Sequence, residues 1–154
     1  AVWDESRRDE FFVRAILQAA WEFRAAQSRK PVDMVQNTCP VCGEKPVAAV
    51  RRGEGDGGKR FLLCSLCATE WEFRRVLCAN CGEEDKDKLP VYVSEEFPHV
   101  ALEACDTCRT YLKSIDLTRN GLAVPVVDEL ATVALDLWAA EKGYRKVQLN
   151  LLGL

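Results

Sequence analysis

All eight cysteines of the chain fall into four CxxC pairs, Cys39/Cys42, Cys64/Cys67, Cys78/Cys81 and Cys105/Cys108. A CxxC turn aims two thiolates at one point while its backbone amides offset their charge, and two such turns complete the tetrahedral shell of a soft metal ion. One CxxC–CxxC unit has 21 intervening residues and a second unit has 23, a pattern that reads as metal binding. Cysteines separated by two residues suit a structural disulfide poorly. A thioredoxin-like redox pair belongs at a helix start in a βαβ setting, whereas these pairs are flanked by strand-like segments. Glycine directly after Cys42 and Cys81 fits a tight knuckle, where a side chain would crowd the sulfurs or oppose positive φ.

Four pairs can be joined into two sites in three ways, and an internal repeat selects among them. Cys39 to Cys78 is a step of 39 residues and Cys64 to Cys105 a step of 41, and Cys42-Gly43-Glu44 matches Cys81-Gly82-Glu83. The repeat favours neighbours: Cys39, Cys42, Cys64 and Cys67 for a first metal ion, Cys78, Cys81, Cys105 and Cys108 for a second. An interleaved arrangement would close larger loops and break the correspondence of the halves. Four sulfurs per ion leave no coordination position for water, so hydrolytic zinc chemistry is not expected. No catalytic residue is assigned. The lone histidine, His99, is expected on the surface rather than as a ligand.

The elements that must position these turns follow from local patterns. Residues 6–28 repeat apolar side chains at Phe12, Ile16, Ala20 and Phe23, which predicts a helix packed along that face. Ser6 with Asp9 would cap its start, and Pro31 would end the pattern. Short β-like runs occupy 46–52, 60–63, 71–77, 91–94, 100–104 and 110–115, and residues 53–58, rich in glycine, read as a hairpin tip rather than a phosphate loop. A linker through Pro125 leads to a second helix from Asp128, with Leu130, Val133, Ala134, Leu137 and Trp138 on its inner face and Gly143 at its end. The apolar tail after residue 147 is expected to dock on this protein or on a partner.

The fold class expected is therefore α+β, small and metal-bound: two tandem zinc-ribbon-like modules flanked by an N-terminal and a C-terminal helix. Residues 1–38 form the helical part, 39–77 the first module, 78–116 the second, and 117–154 the linker, helix and tail. A module of about 39 residues seldom folds on its hydrophobic core alone, so the metal must make up the difference. Ordinary hydrophobic and charged fractions, 48% and 29%, exclude disorder. No apolar run reaches the roughly 18 residues needed to cross a bilayer, and no secretory signal opens the chain, which points to the cytoplasm without membrane insertion. The absence of an initiator Met suggests that an N-terminal part is missing. Residues 39–77 carry seven basic and five acidic side chains, residues 78–116 four and nine. The acidic second module disfavours nucleic acid as a partner, although Arg51, Arg52, Lys59, Arg60, Arg74 and Arg75 could form a basic face on the first.

The segments CPVCG at residues 39–43, CSLCATEW at 64–71, CANCG at 78–82 and CDTCRTYLKSIDL at 105–117, taken in order, resemble the FdhE family of formate dehydrogenase accessory proteins. DELATVALDLWAAEKGYRK at 128–146 is similar to that family's terminal helix, so the likeness runs over roughly residues 39–146. It implies a cytoplasmic factor that matures respiratory formate dehydrogenases by binding their catalytic subunit, with two rubredoxin-like modules holding iron and the first helix a remnant of an N-terminal helical domain. Thiolate sites accept iron or zinc alike, and the residues do not choose between them. Two other roles stay open: a rubredoxin-like redox protein acting on the client by one-electron transfer, and a zinc ribbon that binds nucleic acid.

Overall fold

The computed structural model describes residues 5–28, 36–53 and 58–153. After helix α1 (Glu5–Gln27) come strands β1 (Pro46–Arg52), β2 (Lys59–Cys64) and β3 (Glu70–Glu72), then β4 (Val91–Val93), β5 (Val100–Cys105) and β6 (Thr110–Asp116). Helices α2 (Pro125–Ala131) and α3 (Val133–Glu141) and the two-residue strand β7 (Arg145–Lys146) complete the chain. Each half is an antiparallel meander. The halves merge into one sheet of order β3-β2-β1-β6-β5-β4 because Ala48–Arg51 of β1 run parallel to Lys113–Asp116 of β6. β7 takes the same edge of β6 one step earlier, beside Thr110 and Tyr111. Strand β1 is buried over Pro46–Val50, as a strand covered on both faces must be, and its run of short apolar residues reads accordingly.

One face of the sheet carries Ala49, Leu62 and Leu112 against Trp71, Phe73, Leu77 and the cysteine loops, with Trp21 and Ala25 of α1 joining that core. The other carries Ala48, Val50, Leu63, Val100 and Ile115 and continues through Leu102, Ala104 and Tyr111 to Ala139 of α3.

Several expectations need correction. The α1 face expected to pack is exposed: Phe12, Ile16 and Phe23 are 59%, 72% and 68% accessible, while Ala25 is buried. Apolar residues lie on both sides of this helix, so spacing alone does not choose a face, and contact with the first core falls to Trp21 and Ala25. The strand expected over 71–77 stops at Glu72. Beyond it Phe73 and Leu77 turn into the core, with Arg60 stacked 5.2 Å from the Phe73 ring centroid. The side chains of Ser6 and Asp9, Pro31 and residues 54–57 of the glycine-rich tip lie outside what the structure describes.

The C-terminal helix also differs. It begins at Pro125, preorganised for a first helical position, and Asp128 Oδ2 accepts the Val124 N–H at 2.7 Å. A break at Thr132 divides it into α2 and α3. There the Thr132 hydroxyl donates to the Asp128 carbonyl at 2.8 Å, and Lys113 Nζ donates to the carbonyls of Glu129 and Thr132, drawing them out of the helical ladder. The buried stripe is Glu129, Thr132, Asp136 and Ala139; of the residues expected inside, Trp138 packs against the core beside Leu135, whereas Leu137 is 63% exposed.

That polar stripe completes a buried ionic cluster that apolar periodicity does not reveal. Lys113 Nζ lies 2.7 Å from Asp136 Oδ2 and 3.2 Å from Glu129 Oε1. Lys146 pairs with Glu129 and lies 3.3 Å from Asp136 Oδ1. Two ammonium groups thus meet two carboxylates, and the remaining acceptor sites are used. Tyr111 donates to Asp136 at 2.8 Å and Asn150 to Glu129 at 3.0 Å, so the tail docks on this protein through Asn150. Burial, and then Asp136, push the Tyr111 hydroxyl well above its ordinary range.

Candidate metal centres

In each half the knuckle geometry is built by the backbone. The Gly43 N–H donates to the Cys39 carbonyl at 2.9 Å and the Gly82 N–H to the Cys78 carbonyl at 3.1 Å. Both glycines sit at positive φ, 80° and 78°. An added Cβ would meet nothing within 4 Å at either position, so the requirement is for left-handed backbone and not for space. Val41 N–H approaches Cys39 Sγ at 3.4 Å, and Asn80 N–H approaches Cys78 Sγ at 3.4 Å. Dipoles thus face the sulfurs before any ion is considered.

The second knuckle of each half uses the same turn without glycine. Ala68 and Arg109, each directly after the last cysteine, adopt φ of 53° and 55°. Left-handed backbone costs a residue with a Cβ roughly 1–2 kcal/mol. Ala68→Gly is therefore expected to raise the unfolding free energy by about 1 kcal/mol, read from urea melts; a loss of stability would contradict this account of the turn. One residue further on, Thr69 and Thr110 place their hydroxyls 3.1 Å from Cys67 Sγ and 3.0 Å from Cys108 Sγ. The repeated Cys-x-Thr is present in both halves of the sequence, but a threonine two residues after a cysteine has no signature of its own, and only the fold shows it as a sulfur partner.

The eight cysteines converge as the repeat suggested. Cys39, Cys42, Cys64 and Cys67 form one group and Cys78, Cys81, Cys105 and Cys108 another, the four sulfurs of each lying within 4.8 Å of one another. Nearest approaches are 3.5 Å for Cys39–Cys67, 3.3 Å for Cys42–Cys64 and 3.7 Å for both Cys78–Cys108 and Cys81–Cys105. A tetrahedron with metal–sulfur bonds of about 2.3 Å has edges of about 3.8 Å, so each group has the size of a four-thiolate shell. These separations are far beyond the ~2.05 Å of a disulfide bond, and all eight cysteines are free.

Electrostatics agree with the geometry. A hydrogen bond from Cys64 holds the Cys39 thiol down to about 4, while that same contact, and then burial, push Cys64 far up. Burial raises Cys42 to about 12. In the second group burial opposes ionisation of Cys108, but Thr110, Asn80 and the neighbouring sulfurs bring it to about 6, whereas burial pushes Cys105 up. Four thiolates within 4.8 Å of one another repel, so ionising all four sulfurs of a group requires a cation among them.

His99 is not a free surface residue. Its Nε2 lies 2.7 Å from Asp128 Oδ1, at the start of α2, and its side chain is 18% exposed. The expected basic face is largely neutralised: Arg51 and Arg60 pair with Glu103, Arg52 with Glu70, Lys59 with Glu72 and Arg74 with Glu84. Among the described residues no helix is long and apolar enough to cross a membrane.

Two four-cysteine knuckle units sharing one sheet define an α+β protein of the small, metal-binding class, with sites able to take two ions. Comparison with known proteins specifies the family: residues 38–75 match the FdhE central domain and residues 76–152 the FdhE C-terminal domain. The chain belongs to the FdhE family. It is 44% identical over 119 residues to the FdhE homolog of Aquifex aeolicus, covering 77% of this chain and 42% of that protein. With the FdhE homolog of Haemophilus influenzae (strain PittGG) it shares 37% identity over 145 residues, covering 90% and 47%. The crystal structure of the FdhE protein from Pseudomonas aeruginosa superposes with a TM-score of 0.82 at 34% identity, covering 92% of this chain and 50% of that one. The chain thus spans about half the length of these relatives.

Proposed function

We propose that this chain is the metal-binding part of an accessory factor for a respiratory formate dehydrogenase, and that it acts in the cytoplasm by binding the catalytic subunit during maturation. In this reading Cys39, Cys42, Cys64 and Cys67 hold one ion and Cys78, Cys81, Cys105 and Cys108 the other, iron or zinc. The ions supply folding free energy and, with four sulfurs each, offer no open position for hydrolysis, so the factor works by binding and not by turnover. The observation that carries the proposal is the match of both knuckle-bearing halves to the FdhE central and C-terminal domains. Co-purification from anaerobic extracts tests it. The tagged chain is expected to retain the formate dehydrogenase catalytic subunit, and Cys39→Ser with Cys42→Ser to lose it; retention of unrelated proteins alone would count against the role.

A second reading, one-electron transfer to the client, is favoured by one feature. Three cysteines of the first group are buried, whereas in the second Cys81 is exposed and Cys108 half-buried. An ion there would be open to a redox partner. A reversible iron couple in the isolated protein would support this reading, and zinc alone would remove it.

The same asymmetry predicts an order of loss. Under a limiting chelator with iodoacetamide present, Cys81 and Cys108 are expected to be alkylated before any cysteine of the first group, as followed by peptide mass spectrometry. Equal labelling of both groups would contradict this.

A further inference from the structure

A shallow cleft of ≈ 60 Å³ opens on the sheet face that bears the cysteine loops, between the second group of cysteines and the strands. Three guanidiniums line it, those of Arg51, Arg60 and Arg75, with one carboxylate, Glu103. Arg60 is 5% exposed and fully committed: its Nε and Nη2 donate to Glu103 Oε2 at 2.9 and 2.6 Å, and its Nη1 donates to the Arg74 carbonyl at 2.9 Å. Arg51 directs Nη2 to Glu103 Oε1 at 3.2 Å, and its side chain is 43% exposed. Arg75 hangs from the Gly58 carbonyl on the rim. Burial favours a neutral Glu103, but Arg60 and Arg51 outweigh it and hold the carboxyl below its ordinary range. One carboxylate is thus already matched by the buried guanidinium, and the cleft keeps two positive charges on side chains that reach water, in a chain whose net charge is −3.

We propose that this cleft is a binding site for a carboxylate, with Arg51 and Arg75 as the groups that receive it. A planar guanidinium offers paired N–H donors that suit a planar carboxylate. Glu103 and the sulfurs of Cys78 and Cys105 border the same cleft, so a dianion such as phosphate meets more repulsion there than a single negative charge does. The walls favour a carboxylate carried on an apolar body, because Leu77, Leu89, Val91 and Val147 flank the arginines. The carboxylate could come from a free small acid or from an acidic side chain of a peptide; both share this chemistry. The inference requires no particular client and stands apart from the accessory role.

The test uses the full chain with its ions bound, observing arginine Nε–H signals by NMR at constant ionic strength. Sodium acetate, an acetylated Leu-Glu-Leu amide and its Leu-Gln-Leu counterpart are titrated against a sodium chloride reference. Acetate and the Glu peptide are expected to shift Arg51 and Arg75 saturably. A Glu peptide effective at tenfold lower concentration than acetate assigns the site to a peptide side chain, and equal potency to a free acid. Arg51→Gln with Arg75→Gln should weaken binding at least tenfold while the amide spectrum is kept, and Arg74→Gln, outside the cleft, should change it little. Equal shifts with the Gln peptide or with chloride, or no saturation, would overturn the proposal. So would loss of the second ion in Arg51→Gln without any carboxylate response, since the arginines would then serve the neighbouring thiolates.

Discussion

Stripping the ions from both four-cysteine groups is expected to unfold the sheet while part of the helical signal survives. Each half contributes a three-stranded meander of about 39 residues, too small to fold alone on a hydrophobic core, and even in the joined sheet the CxxC turns lie in loops and at strand ends that the ions tie together. Structural zinc in small peptides contributes on the order of 10–16 kcal/mol of apparent binding free energy, as large as the roughly 5–15 kcal/mol net stability of a whole domain. The knuckles also fix where strands begin and end, since Cys64 closes β2, and Cys105 closes β5. Because β1 pairs with β6 across the halves, release of one knuckle should loosen both meanders. Loss of dispersed amide resonances on anaerobic chelation, reversed by adding the metal back, is the outcome to measure. Unchanged amide spectra in metal-free protein would contradict this role for the ions.

Lys113→Met should be the most damaging substitution away from the cysteines, costing about 3–5 kcal/mol in urea unfolding of the ion-loaded protein. Lys113 is fully buried between Glu129 and Asp136, and its removal leaves Lys146 alone against both carboxylates. The helix break loses its cation as well, since Lys113 Nζ donates to the Glu129 and Thr132 carbonyls. Adding Glu129→Gln to Lys113→Met restores charge balance and is expected to recover part of the loss. A cost below about 1 kcal/mol for the single change would mean that the cluster is neutral to stability, as some buried ion pairs are.

What could be read in the sequence was whatever the chain encodes locally. The cysteine groups were legible because a CxxC turn is a four-residue structure and its copies repeat at nearly constant spacing. β1 runs over 46–52 as expected, since its bounds are set by Pro46 and by the glycine-rich turn after Arg52. The pairing of β1 with β6 joins residues more than sixty apart and leaves no local mark, so the two modules gave no sign of sharing a sheet. Apolar periodicity located both helices but misjudged their inner faces, for opposite reasons. α1 has apolar side chains on more than one side, whereas α2 and α3 turn Glu129, Thr132 and Asp136 inward toward lysines that no spacing rule connects to them. Ala68 and Arg109 escaped notice because left-handed backbone at residues other than glycine has little signature in composition.

The most direct test is X-ray absorption with metal analysis on the anaerobically purified chain. Two ions per chain, each surrounded by four sulfurs at about 2.3 Å, is the predicted result. A chain that carries no ion and has its cysteines oxidised to one another would contradict the account at its base.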